Sequence, residues 1–253
     1  MAPSILQLPD TILVNILKRV DTVHCLSRAL LAHKCFSNAN ASCPGIAETI
    51  IQRRIHPQLL PLAIANIEAS HKTYTRRDLD AVKDLYMGVF ENPRRFTDRL
   101  KAPNSTNPIP ISDLIQIERI DDVIGRIATE YTSEAWRGIM RVRRENKPLT
   151  VSETERLRFY RAFYRLKLFF KLCRGDGASD LGFLRSRSFF LLLLHPPWEL
   201  GQMACVYRRV QRCFVECGKI LFAPSIPCNQ DGILQKNIGS HIEQELRTYN
   251  HTI

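Results

Sequence analysis

Cys213 and Cys217 stand four residues apart, with Cys228 and His241 downstream. On a helix those two thiols share a face, and two thiolates so placed supply half of a tetrahedral zinc site. A structural zinc site pairs its ligands closely on both halves, whereas Cys228 and His241 are widely separated and form no knuckle. Free, half-buried thiols are therefore expected at Cys213 and Cys217, and no metal is assigned. The seven histidines are scattered singly, and none is expected at ligand spacing from a cysteine or carboxylate on a helix. No Gly-rich dinucleotide or phosphate loop, nucleophile elbow or HExxH helix is present. Arg174-Gly175-Asp176-Gly177 reads as a helix end, where glycine adopts the left-handed turn. Neither catalysis nor a cofactor is expected. Two basic clusters remain: Arg141-Val142-Arg143-Arg144, and the arginines between Arg156 and Arg165. Interleaved with Tyr160, Phe163 and Tyr164, the second has the residue types of a nucleic-acid stacking surface. Those aromatics fall on helical stripes, however, so core packing with solvated arginines is the expected reading.

These residues belong to a chain of 253 residues, enough for one large domain or one domain with a small module. Hydrophobic residues make up 45% and charged residues 24%, which is globular composition. A net charge of +11 permits anionic partners without requiring them. Eight cysteines are too few and too unevenly spread for a disulfide scaffold. Pro9 and Asp10 interrupt the first apolar stretch, against a signal peptide. The longest apolar run, Phe189 to Leu194, falls far short of the about 20 residues that span a bilayer. A cytoplasmic or nuclear protein with no membrane partner is expected.

Helical periodicity dominates, which predicts an all-α fold. Pro9 suits a first helical turn, because its missing N–H would have no partner there. Ile12, Leu13, Ile16, Leu17 and Val20 then form one apolar face. Asp21 is the expected N-cap of a second helical region holding Leu26, Leu30 and Phe36. The breaker at residues 38–45 closes this first unit. Pro57 is expected to start a helix carrying Leu60, Ile64 and Ile67; Leu79 to Val89 mark another. Residues 91–110, rich in proline and asparagine, read as a loop or linker. Ser112-Asp113 is the expected cap of the following helix, and Ser152 with Glu155 has the spacing of a capping box. From Leu157 to Leu172 apolar residues occupy almost the whole circumference, which places that helix inside a bundle with Phe163 and Tyr164 buried. Arg158, Arg161 and Arg165 must then reach solvent or find carboxylates, for which Glu118, Asp121 and Asp122 are the nearest cluster. An apolar helix is expected over 181–194, then Pro196-Pro197-Trp198-Glu199 starts another. The polar stretch after Pro224 gives the impression of an incomplete C-terminal domain.

Leu8-Pro9-Asp10-Thr11-Ile12-Leu13-Val14-Asn15-Ile16-Leu17, then Val20-Asp21, Leu26 and His33-Lys34-Cys35-Phe36, resembles an F-box. That pattern opens with leucine-proline, continues through isoleucine-leucine and an acid-led turn to a leucine-rich helix, and ends at a basic residue before an aromatic. Here Val20 stands where leucine is usual and Phe36 where tryptophan is common. Ser152-Glu153 with Arg161-Ala162-Phe163-Tyr164-Arg165, and Pro196-Pro197-Trp198-Glu199-Leu200 with Met203-Ala204-Cys205-Val206-Tyr207, are similar to segments of filamentous-fungal F-box proteins. The resemblance implies an F-box over 1–42, a helical region over 43–90 continuous with the C-terminal domain, the 91–110 linker, and a target-recognition domain over 111–253.

It further implies a non-catalytic subunit of an SCF-type ubiquitin ligase. Leu8, Pro9, Ile12, Leu13, Ile16, Leu17, Leu26, Leu30 and Phe36 would face the Skp adaptor, which leads to a cullin-RING scaffold. The helical remainder would hold an unidentified target protein. Forty residues in three short helices bury too little apolar surface to stand alone, which agrees with a unit covered by a partner. An F-box scaffold acting without ubiquitination and a basic nucleic-acid-binding helical protein are the alternatives.

Overall fold

The computed structural model describes residues 8–72, 74, 78–100, 109–143, 151–173 and 194–221, with backbone alone at 135–136, 138–143 and 213–221. Among these residues the fold is all-α, without strands. Helices α1 (Asp10–Lys18), α2 (Val23–Ala32), α3 (Lys34–Ser42) and α4 (Ile46–Arg54) come first. Next come α5 (Leu60–Glu68), α6 (Leu79–Glu91), the short α7 (Arg94–Thr97) and a 3-10 turn, Asp98–Leu100. The long helices α8 (Ile111–Arg143), α9 (Glu153–Cys173) and α10 (Pro197–Leu221) complete the fold.

Local chemistry fixes where the elements begin. Pro9 occupies the N-cap of α1, with Asp10 in the first turn and Lys18 in the last, as the helix dipole favours. Thr22, and not the expected Asp21, caps α2: its Oγ1 accepts from Cys25 N at 2.9 Å. Gly45 opens α4 at φ 93°, a left-handed conformation that strains any side chain. Ser152 and Glu155 close a full capping box on α9: Glu155 N donates to Ser152 Oγ at 3.2 Å, and Ser152 N to Glu155 Oε2 at 3.0 Å.

Beyond the cap of α2, four features differ from expectation, the first being that α3 continues to Ser42, through the first half of the breaker expected at 38–45. Pro57 leads only a turn, and α5 begins at Leu60. Helix α8 begins at Ile111, because the Pro110 carbonyl already accepts from Asp113 N and Leu114 N. Asp113 therefore lies in the first turn, where its carboxylate meets His71 Nε2 at 2.9 Å. Residues 91–100 hold the end of α6, α7 and the 3-10 turn, since burying Phe96 and Leu100 orders that segment. The helix expected over 181–194 lies outside the described residues but for Leu194.

Burial is continuous: one apolar core runs from Leu13 in α1 to Val206 in α10. Helix α5 is its centre, with every residue from Leu60 to Ile67 buried, and it packs against α6, α7, α8 and α9. Asn66, wholly buried there, donates from Nδ2 to Leu62 O at 2.9 Å and to Tyr164 O at 3.0 Å, tying α5 to α9. Helix α9 sits between α5, α8 and α10, as its apolar circumference requires. Tyr164 is wholly buried, but Phe163 is only half-buried and lies at the edge of the core.

Candidate interaction surfaces

The nine residues grouped by the F-box resemblance divide by burial. Leu13, Leu17 and Leu26 are buried in the chain's own core, and Leu8, Leu30 and Phe36 are half-buried against it. Pro9, Ile12 and Ile16 face solvent, with Ile12 44% and Ile16 38% exposed. These three fall three and four residues apart, on one side of α1. Leu31, near the end of α2, is 85% exposed and was not among the nine. A position one residue past the half-buried Leu30 offered no signal for it, since only packing decides which side of a short helix is covered.

The first three helices are held to the body by polar ties at their ends. Arg53, at the end of α4, donates to the carbonyls of Lys18 at 3.0 Å and Val20, closing the last turn of α1. Glu118, 3% exposed in α8, accepts from Val23 N at 3.1 Å and His24 N at 3.2 Å. A carboxylate at the first turn of α2 satisfies two amides and meets the positive helix end. Arg54 pairs with the same Glu118 at 3.1 Å and with Asp122 at 2.6 Å. Asp121 accepts from the Tyr164 hydroxyl at 3.1 Å. Burial raises the Asp121 carboxyl above its usual range, opposed by the Tyr164 bond and reinforced by Asp122.

That acidic cluster therefore serves Arg54 and Tyr164, and not the arginine strip of α9 expected to use it. Arg158 is exposed, Arg161 donates to Gln58 Oε1 at 2.7 Å, and Arg165 pairs with Glu199 of α10 at 2.7 Å. Arg165 is only 6% exposed, and its guanidinium lies over the Phe90 ring, 5.0 Å from the centroid. Glu199 also meets His195 Nδ1 at 2.9 Å, and His195 Nε2 bonds to the Tyr86 hydroxyl. A carboxylate only accepts, so the ring carries its proton on Nδ1 and accepts from Tyr86 on Nε2. Tyr86, His195, Glu199 and Arg165 form a chain that ties α6, α9 and α10 together. Burial pushes His195 below its ordinary value, against the pull of Glu199. Burial also acts to raise Glu199, but the bonds from Arg165 and His195 together hold it below the usual range. His195 thus does stand at helical spacing from a carboxylate. The signal was present, and the proline turn ahead of α10 hid it.

Several grooves open among the described residues, two of them large. One, of about 890 Å³ between α8 and α9, is lined by carboxylates and arginines together, among them Asp122, Arg126, Glu130 and Arg156. The other, of about 750 Å³, lies among α5, α6, α7 and α9, and no carboxylate lines it. The sequence had marked neither, because each joins residues from distant segments.

Among the described residues no three histidines, cysteines or carboxylates are placed to hold a metal, and no helix is long and apolar enough to cross a membrane. Cys213 and Cys217 fall on α10 where backbone alone is described; Cys228 and His241 lie outside the described residues. So does Arg144, while Arg141 and Arg143 are described by backbone at the end of α8. Compared with family models, with curated proteins and with solved structures, the chain matches none.

Proposed function

We propose that this chain is an F-box protein that recruits a target to a ubiquitin ligase of the SCF type. It would bind the Skp adaptor through its first three helices and the target through the helical body. The observation that carries this reading is the aliphatic stripe of α1, where Ile12 and Ile16 are exposed beside buried Leu13 and Leu17. A face that leaves large aliphatic side chains in water, next to one that fills the core, fits a surface awaiting a partner. The leucine-proline opening and the order of motifs that follows support the identity of that partner.

The nucleic-acid reading is weakened at the arginine strip of α9, where Arg165 is buried and paired with Glu199. Arg54, Arg99, Arg165, Arg209 and Arg212 are each paired with a carboxylate of the chain itself. Co-expression with the Skp adaptor tests the proposal. The wild-type chain should co-purify with the adaptor, and Ile12→Asp with Ile16→Asp should not, although thermal unfolding should show the double variant still folded. Deleting residues 1–40 is a poor test, because it would also strip Leu13, Leu17 and Leu26 from the shared core.

A further inference from the structure

We infer that the groove among α5, α6, α7 and α9 is a docking site for an acidic peptide of the target, one that sets carboxylates beside apolar side chains. The inference rests on the recruitment reading for what the bound peptide is, and on the groove alone for its chemistry. The groove measures about 750 Å³, room for two or three side chains, and Leu60, Leu62 and Val89 form apolar parts of its wall. Phe90 lines it as well, 37% exposed beside the Arg165 guanidinium that lies over its ring. Arg94, Arg161 and Arg165 are the charged residues of the lining, and no aspartate or glutamate joins them.

The three guanidiniums are not equally engaged. Arg165 is neutralised by Glu199, although its buried Nε has no acceptor. Arg161 meets only the neutral amide of Gln58, and Arg94 lies exposed at the edge. Arg94 and Arg161 thus bring two positive charges to a groove with apolar walls and no carboxylate, and their complement is a segment carrying negative charge beside apolar side chains. A phosphate dianion calls for converging donors, and a nucleic-acid backbone calls for a continuous basic stripe. With Arg165 already paired to Glu199, two arginines remain in a lining half of which is proline and aliphatic, too few for a continuous stripe. The +11 charge of the chain adds steering toward such a segment.

The test is fluorescence anisotropy with a labelled dodecapeptide in which two leucines and a phenylalanine alternate with glutamates in a glycine-serine background. Its glutamine, lysine and phosphoserine counterparts are run beside it. The glutamate peptide should bind the full chain, with affinity falling as salt rises. Glutamine in place of glutamate, or Arg94→Glu or Arg161→Glu in the protein, should each weaken binding about five- to tenfold. Arg126→Glu, in the other groove, should leave binding unchanged, and thermal unfolding should show all three variants folded. Equal affinity for the glutamate and glutamine peptides, binding of the phosphoserine peptide alone, or indifference to both groove substitutions would overturn the inference. The same variants should capture the Skp adaptor normally. Peptide binding without adaptor capture would contradict the recruitment reading and leave the groove assignment standing.

Discussion

Glu118→Ala removes the tie that joins the first three helices to α8, and its cost follows from three contacts. Val23 is buried, so its amide, now without the acceptor 3.1 Å away, bears a desolvation cost of about 1–3 kcal/mol. The His24 amide belongs to an exposed residue and recovers most of its bond from water. Arg54 loses the 3.1 Å pair but keeps Asp122 at 2.6 Å, and with a quarter of its side chain exposed that loss is worth about 0–1 kcal/mol. The sum is about 3 kcal/mol, which for a domain of this size lowers Tm by about 6–12 °C. Glu118→Gln, which keeps one acceptor oxygen, should cost about 1 kcal/mol. Asp122→Asn, at a side chain 54% exposed, should cost less than about 1 kcal/mol. Thermal unfolding followed by circular dichroism measures all three. A Glu118→Ala Tm within about 2 °C of wild type, or an equal loss for Asp122→Asn, would refute this account of how the N-terminal unit is held.

Burial holds His195 below its ordinary value, so the unfolded chain takes up that proton first as pH falls. The stability it contributes is complete above about pH 6.5 and is lost as pH drops below that; Glu199, also lowered, extends the loss through the carboxylate range. Urea unfolding from pH 8 to pH 5 should show the decline in wild type and a shallower one in His195→Gln; identical curves would contradict it. A Cβ on Gly125 would stand 2.8 Å from the Tyr160 hydroxyl, so Gly125→Ala should destabilise despite the better helix propensity of alanine, by about 1 kcal/mol net. In a Tyr160→Phe background the same change should become neutral or stabilising, and an unchanged cost there would refute the packing argument. Tyr164→Phe removes the bond to Asp121 and should cost about 1 kcal/mol in denaturant unfolding, while Phe163→Ala should fall below the about 3–5 kcal/mol of a fully buried ring.

Features set by neighbours in sequence were legible before the fold was known. The Ser152–Glu155 capping box, the proline start of α1 and the core position of α9 each need only spacing within one or two turns. Features set by distant segments were not. Arg158, Arg161 and Arg165 looked like partners for Glu118, Asp121 and Asp122, because those acids stand on the preceding long helix. Arg54, far upstream, competes for the same carboxylates once α4 packs on α8, and its pairing leaves Arg165 to Glu199. Likewise periodicity found the apolar face of α1 but could not divide it. Which of Ile12, Leu13, Ile16 and Leu17 is covered depends on where α3 and α4 lie against it. Both grooves are products of that same long-range packing.

The recruitment reading turns on whether the uncovered half of the α1 face binds the adaptor. A titration of purified Skp adaptor against the full chain, wild type and the Ile12→Asp, Ile16→Asp double variant, measures this directly. Each side chain is still more than half covered by the chain, so the double variant should unfold a few degrees below wild type and remain folded at the assay temperature. The account predicts a one-to-one complex with the wild-type chain and a loss of affinity of about a hundredfold or more in the double variant, the effect of burying two unpaired carboxylates in an apolar interface. No complex with the wild-type chain, or equal affinity for the two, would contradict it.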